Sequence, residues 1–269
     1  RYGVGFAQVQ QVYGSSGDPS ILVLEFDREG KLSMRHCVQE IGTGATTAQQ
    51  VMVWQALGKA PDEVAFGVTE FPELPLRSTW ADQEKQDELS LNDPYWVPSI
   101  IPDMSSSASV YYIGFATRQA ARFLQEFALW PAAKAIWSEG AAGGAISSFD
   151  VQYSDMRIGP EGLGGGGMKP IPFEQLARKA HEMGLITGVA VHTVSRWEWA
   201  RAEFDIPGFG VRDLAIDALA VRYGEGASED LKKRMTTAGY DFINRNRATH
   251  PPVQRSSAGP TPYTPAASI

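Results

Sequence analysis

The stretch Ile21-Leu22-Val23-Leu24-Glu25-Phe26-Asp27-Arg28-Glu29-Gly30-Lys31-Leu32-Ser33-Met34-Arg35-His36-Cys37-Val38-Gln39 decides how this chain is read. Its first six residues are almost all apolar and β-favouring, and residues 31–39 mix apolar with polar positions in a strand-like pattern. Asp27-Arg28-Glu29-Gly30 between them has the composition of a turn, so a β-hairpin is predicted. Glu40-Ile41-Gly42-Thr43-Gly44-Ala45-Thr46-Thr47 then bends the chain into a helix predicted over residues 46–57. Val51, Trp54 and Leu57 fall there at helical spacing, and Gly58 is the stop. Residues 63–70 read as a returning strand.

Farther along the chain, residues 72–102 are rich in Pro, Asp, Glu and Trp and are expected to form a long surface excursion. The run Ser105-Ser106-Ser107-Ala108-Ser109 precedes a helix predicted over residues 110–130. Pro131 interrupts it, and residues 132–137 continue as a kinked turn. Glycine clusters at 140–144 and 164–167 are expected to flank a hairpin over residues 146–153 and 156–158. Pro172 opens a helix through Met183, with Phe173, Leu176, Ala177 and Ala180 on one face and Gly184 as its end. Residues 187–194 and 215–223 read as strands. Ser228 is a candidate N-cap ahead of Glu229 and Asp230, in a helix ending near Gly239. The Pro- and Ser-rich segment after Thr249 is expected to be extended. Strands with segregated helices predict an α+β fold, with layered mixed or antiparallel sheets and helices packed on one face. Two subdomains are expected, residues 1–138 and residues 139–269, the second incomplete at its C-terminus.

Apolar residues make up 43% of the 269 and charged residues 20%, which is enough to build a core. The net charge of −7, with no basic run beyond Lys232-Lys233-Arg234, argues against a nucleic-acid partner or an anionic membrane surface. A single cysteine, Cys37, excludes an internal disulfide framework and a Cys-rich zinc or iron–sulfur site; its strand-like neighbourhood suits a buried thiol. No stretch approaches the roughly 20 apolar residues of a membrane span. The opening Arg1-Tyr2-Gly3 and the closing Ala267-Ser268-Ile269 do not resemble natural termini, so a fragment, a processed piece or a separately encoded subunit is expected. The compartment stays open between bacterial cytoplasm and periplasm.

Two segments carry candidate chemistry. Gly42 and Gly44 let the backbone approach a ligand closely, the following helix start offers unpaired N–H groups suited to an anion, and Thr46 and Thr47 add hydroxyls. An ordinary strand-to-helix turn fits the same residues. The segment lacks the Lys of a phosphate-binding Walker loop and the third glycine of a dinucleotide fingerprint. The serine run could wrap a polar ligand or merely cap its helix. Convergence of these two helix starts on one polyanion is the sharper expectation. His36 reads as a packed or surface histidine. His181 and His192 have no readable partners, and Trp197 and Trp199 suit a core, an interface or a substrate funnel. No nucleophile elbow of Gly-x-Ser-x-Gly form occurs.

From Val38 to Ala121 the sequence resembles the xanthine dehydrogenase/aldehyde oxidase family of molybdenum hydroxylases, in the molybdopterin-binding part of the large subunit. That family has Glu-Met-Gly-Gln-Gly-x-x-Thr leading into a helix, then Leu-Gly and a strand; here stand Glu40-Ile41-Gly42-Thr43-Gly44-Ala45-Thr46-Thr47, then Leu57-Gly58 and residues 64–69. The family's Ala-Ser-x-Ser segment ahead of a helix is matched by Ser106-Ser107-Ala108-Ser109, with Gly114, Ala116 and Ala120 following. The resemblance implies that Gly42, Thr43, Gly44, Thr46, Thr47, Ser106, Ser107 and Ser109 hold a molybdopterin with its molybdenum, either plain or as the cytosine dinucleotide. Thr43 replaces the family's Gln, so a backbone approach is implied there rather than a side-chain contact. No metal ligand from the chain is implied. The catalytic Glu of the family lies in a Gly-x-Gly-Glu context that Gly224-Glu225-Gly226 does not reproduce, so no catalytic residue is assigned to this chain. The implied activity is oxidation of an aldehyde or N-heterocycle with water as oxygen source. Other portions of the molybdenum subunit, an iron–sulfur subunit, a flavin (FAD) or cytochrome (haem) subunit and a small-molecule substrate are the implied partners. A structural or assembly subunit that has lost the cofactor is the competing expectation. A phosphate-ester enzyme unrelated to molybdenum is a third, and no convincing carboxylate cluster supports it.

Overall fold

A computed structural model of the chain describes residues 2–8, 19–79, 82–101, 108–140, 151–194 and 201–247. Ser105 to Ser107, residues 146–150 of the hairpin arm expected over 146–153, Trp197, Trp199 and the segment after Thr249 lie outside the described residues, and the described end of that arm is no strand, since Tyr153 opens a 3-10 turn, Tyr153–Asp155. The elements are β1 Pro19–Phe26, β2 Leu32–His36, α1 Ala45–Leu57, β3 Glu63–Ala65, α2 Gln83–Asn92 and α3 Ala108–Leu124. A π turn, Gln125–Leu129, leads directly into α4 Trp130–Gly140. Then come β4 Met156–Gly159, β5 Gly162–Gly165, β6 Met168–Ile171, α5 Phe173–Glu182, β7 Ile186–Val194, β8 Ala202–Ile206, β9 Gly210–Leu214, β10 Ala218–Tyr223, α6 Glu229–Arg234, β11 Asp241–Ile243 and β12 Arg245–Asn246.

The fold is α+β. The hairpin forms as its composition demands: Leu24 faces Met34 across β1 and β2, and the Asp27 carboxylate accepts from the Lys31 N–H at 2.8 Å to close the turn. The hairpin seeds a mixed six-stranded sheet in the order β11-β10-β7-β1-β2-β3, in which only β2 and β3 among the described pairs run parallel. Two smaller antiparallel sheets, β12-β8-β9 and β4-β5-β6, complete the strands described. Strands from both sides of residue 138 share the large sheet and one core.

Alternation along the strands separates two apolar faces. Leu22, Leu24, Val189, Val191, Leu219 and Val221 point to the side covered by α1, α3, α4 and α5, where Val53, Ala116, Ala120, Leu124, Ala133 and Leu176 meet them. Ile21, Val23, Ala190, Ala218 and Ala220 point the other way, onto Phe71 and Leu74. Every residue of β7 is consequently buried. The supposed surface excursion therefore forms the second cover of the sheet, with Trp96 and Val97 fully inside. Its acidic and prolyl composition concealed this, because the few apolar residues that bury are widely spaced.

Other expectations are corrected in detail. The strand over residues 63–70 stops at Ala65, because Gly67 turns to φ +64° and breaks the ladder. Val51 and Trp54 do not form the inner face of α1; they are 45% and 46% exposed, while Ala45, Thr46, Gln49, Val53 and Leu57 point inward. Pro131 does not interrupt its helix: it follows the π turn, at the second position of α4, and the helix runs on. Gly164 and Gly165 lie within β5, which pairs with β4 and β6, rather than in a flanking turn. Ser228 caps α6 through the Leu231 N–H, but that helix ends at Arg234.

Candidate functional site

At the entry to α1 the chain takes two left-handed steps, Gly42 at φ +90° and Gly44 at φ +73°. These aim consecutive N–H groups toward one point, as in an anion-binding nest. The occupant is the carboxylate of Glu40. Its Oε1 accepts from Gly42 N at 2.8 Å, Gly44 N at 3.1 Å and the Thr43 hydroxyl at 3.3 Å, while Oε2 accepts from Thr46 N at 3.1 Å. The Thr46 N–H foremost, with those of Gly44 and Gly42, holds the Glu40 carboxyl below its usual range. Gly44, at the N-cap position, has no side chain to satisfy these donors, so Glu40 does what a capping Ser or Asp would do. A Cβ placed on Gly42 or Gly44 would meet nothing within 4 Å, so the space before the loop is open. Thr43 and Thr47 are exposed; Thr46 is 8% exposed, and its hydroxyl has no partner among the described residues.

The second segment bears on the same end of the molecule. Helix α3 packs along α1, where the Thr117 hydroxyl donates to Gln49 Oε1 at 2.5 Å and Gln125 Nε2 donates to the Ala56 carbonyl. These contacts join residues 68 and 69 apart in sequence, so position advances together along both helices. Ala45 and Ile113, again 68 apart, share one apolar cluster. The two helices are therefore parallel and start on the same side. Ala108, the first residue of α3, lies five residues before Ile113, so the start of α3 stands at the same end as the start of α1. Ser106 and Ser107 precede that helix and lie outside the described residues, as does the side chain of Ser109.

A buried polar cluster that the sequence did not advertise lies elsewhere. Arg247 donates to Asp217 Oδ1 and to the Ser90 hydroxyl. Arg245 donates to four backbone carbonyls: Asp217 at 2.9 Å, Ser90 at 3.3 Å, Asp93 at 2.9 Å and Trp96 at 2.6 Å. His192 Nε2 lies 3.0 Å from the Ser99 carbonyl, and its Nδ1 lies 3.6 Å from Asp217 Oδ2. Burial lowers the guanidinium of Arg245 to about 10 and that of Arg247 to about 9, and burial with the two nearby cations lowers His192 to about 3. The cluster fastens residues 90–99 to the sheet. Asp217, Arg245 and Arg247 carried no motif, and only their pairing in space reveals them.

The remaining candidates are structural. His36 is buried, neither ring nitrogen has a hydrogen-bond partner among the described residues, and burial lowers it to about 4 against the opposing pull of Glu40. The His181 ring stands 3.0 Å from the Phe26 carbonyl through Nε2. Cys37 is buried, its thiol pushed up to about 11 by burial. Gly224 and Gly226 are seated against the backbone at the end of α5, and Glu225 pairs with Arg28 at 2.9 Å. Among the described residues no group of three or more His, Cys, Asp or Glu is arranged to hold a metal ion.

No protein-family model matches the chain, and no curated protein matches it. Two of the similar solved structures are CO dehydrogenases. One is the Cu,Mo-CO dehydrogenase in its carbon-monoxide-reduced state, 12% identical with a TM-score of 0.38, covering 65% of this chain and 20% of that one. The other is reconstituted CO dehydrogenase from Oligotropha carboxidovorans, 13% identical with a TM-score of 0.39, covering 76% of this chain and 20% of that one. The chain spans about a fifth of the length of either.

Proposed function

We propose that this chain is a portion of the molybdopterin-binding subunit of a molybdenum hydroxylase, and that its Glu40–Thr47 loop cradles an anionic part of the pterin cofactor. The observation that carries the reading is the convergence of the Gly42, Gly44 and Thr46 N–H groups on a single carboxylate, in a loop whose sequence resembles the family's cofactor segment. Donors that hold a carboxylate also suit a phosphate. The residues present fit a phosphate-bearing group on one condition, that Glu40 swings out into the open space beside it.

When bound, the cofactor supplies a metal that takes electrons from the carbon being hydroxylated, with water as oxygen source. The chain's own contribution is to bind and orient. Backbone N–H groups and the positive end of α1 offset phosphate charge, the exposed Thr43 and Thr47 add hydroxyls to the loop, and α3 starts at the same end of the molecule. The acid–base residue, the substrate pocket and the electron path through iron–sulfur clusters, with FAD or haem beyond them, fall to other portions and partner subunits. The substrate class is an aldehyde or an N-heterocycle. The test is molybdenum and pterin analysis of the purified complex carrying Gly44→Val, with assembly followed in parallel. Loss of cofactor from an assembled complex supports the cradle; an unchanged molybdenum content overturns it.

A structural or assembly subunit derived from such an enzyme is the second reading. It is favoured by the fact that Glu40 already satisfies the loop's donors and that Thr43 stands where the family has Gln. A native complex free of molybdenum and pterin, with its partner activity intact, would select it.

A further inference from the structure

Beside the Glu40–Thr47 loop lie buried polar atoms that the described chain leaves without partners. His36 ends β2 and points, like Leu32 and Met34 before it, to the face covered by α1. It is fully buried, and neither ring nitrogen has a hydrogen-bond partner among the described residues. Cys37 and Val38, next in the chain, share an apolar cluster with Ala45, the first residue of α1, so the end of β2 stands at the start of that helix. The Thr46 hydroxyl, in the first turn of α1, is a second buried orphan, on the residue whose N–H reaches Glu40 Oε2. Buried polar groups are nearly always paired, so two orphans at one helix start require an explanation.

The charges around His36 supply one. The helix α1 carries no charged residue, Leu22 stands opposite on β1, and the Val68 N–H donates to the His36 carbonyl from the uncharged run Phe66-Gly67-Val68. Arg118 and Arg122 of α3 are exposed, and Arg35, on the other face of β2, pairs with Glu73. Glu40 is the ionisable group that acts on the ring, drawing its protonation upward. The carboxylate held by the loop and the imidazole are therefore coupled, and an anion that takes the carboxylate's place inherits the coupling.

We propose that an oxyanion displacing Glu40 binds together with one proton, taken from solvent by His36, so that the site prefers a doubly charged group of the phosphate class over a carboxylate. The inference rests on the loop being an anion cradle and adds what selects the anion. A dianion within about 4–6 Å favours the imidazolium more than a single carboxylate does. With it bound, His36 returns from about 4 toward the ordinary histidine value of 6.5. Between those two values the bound form holds a proton that the free form lacks, so affinity rises as pH falls through about 6.5.

The experiment is calorimetric titration of the full chain carrying Glu40→Gln, which removes the built-in competitor, with sulfate as the probe because it stays doubly charged throughout. The expected result is an affinity about tenfold higher at pH ~5.5 than at pH ~7.5, with uptake approaching one proton at the lower pH, read from the heats in two buffers of different ionisation enthalpy. The Glu40→Gln/His36→Phe double variant should bind sulfate equally at both pH values. Ring-proton NMR of the protein that keeps His36 reads the same event without that second substitution, as one histidine that becomes protonated at pH ~5.5 only when sulfate is bound. Sulfate binding with no pH dependence and no proton uptake, or a pH dependence that survives in the double variant, overturns the role of His36 and leaves the cradle standing. Absence of sulfate binding at both pH values overturns the cradle and this inference with it.

Discussion

Replacing Arg245 by Met tests whether residues 72–101 are a fastened layer of the fold. The side chain of Arg245 is 2% exposed, and its two terminal nitrogens face the carbonyls of Asp217, Ser90, Asp93 and Trp96. Nη2 faces three of these, more than its two hydrogens serve at once, so the 3.3 Å contact to Ser90 is the weakest. Asp93 O keeps a second donor, Trp96 N at 3.2 Å, and loses least. Met would leave roughly three buried carbonyls short of a donor at about 1–3 kcal/mol each. Part of that is returned, because a buried cation no longer has to be desolvated. The net loss should be about 2–4 kcal/mol, a fall in melting temperature of roughly 5–15 °C for a chain of this size. Arg245→Lys keeps the charge but loses the fork and should fall between the two. Urea unfolding followed by tryptophan fluorescence reads the loss, since Trp96 is buried at this point, and limited proteolysis reads loosening between residues 72 and 101. A loss below about 1 kcal/mol, with the segment as protease-resistant as before, would refute the clamp.

Burial holds His36 neutral by lowering it from the ordinary histidine value of 6.5 to about 4. Below pH 6.5 the unfolded chain therefore binds a proton that the folded chain refuses, so stability is full above that pH and falls on the way down to about 4. The slope from this group approaches roughly 1.4 kcal/mol per pH unit. His36→Phe should flatten that limb in urea midpoints taken at intervals across it, leaving the slope from His192, which continues to about 3; an unchanged limb would count against it. Glu40→Gln removes the charge that occupies the Gly42–Thr46 donors, and the variant should bind inorganic pyrophosphate several-fold more tightly than the wild type by calorimetry. Identical affinities would mean that Glu40 does not compete for those N–H groups. Gly184→Ala forces a Cβ to within 2.3 Å of the Ala227 nitrogen at a φ of +65°, and should destabilise by about 2–5 kcal/mol. Near-wild-type melting would show that the turn after α5 can give way.

The hairpin, α1, α5 and β7 were legible because each is specified locally, by turn chemistry, a glycine stop or an unbroken apolar run. The face of α1 was not. Val51 and Trp54 are as apolar as Val53 and Leu57, and only the position of α3 decides which pair is covered. For the same reason the sequence of residues 72–102 reads as surface: Leu74, Trp96 and Val97, with Phe71 just before them, acquire their burial from a sheet face built by distant segments. At the site, Gly42 and Gly44 were readable from their conformational freedom. The role of Glu40 was not, since a carboxylate two residues before a glycine has no fixed target until the backbone turns back on it.

Backbone N–H groups recognise an anion by charge and distance rather than by identity, so the Gly42–Thr46 donors suit a phosphate and the Glu40 carboxylate alike. Glu40 has the advantage of attachment: it sits within a few residues of its donors, and its effective concentration there far exceeds that of a free ligand. A ligand held by this loop alone would therefore compete poorly. The balance changes only if the ligand gains contacts that Glu40 cannot reach, and these must come from another segment at the same end of the molecule. The parallel packing of α1 and α3 meets that requirement by putting the start of α3 at the same end of the molecule as the loop that opens α1. Had the two helices packed antiparallel, the start of α3 would lie at the far end of α1, and the loop would remain closed by its own carboxylate.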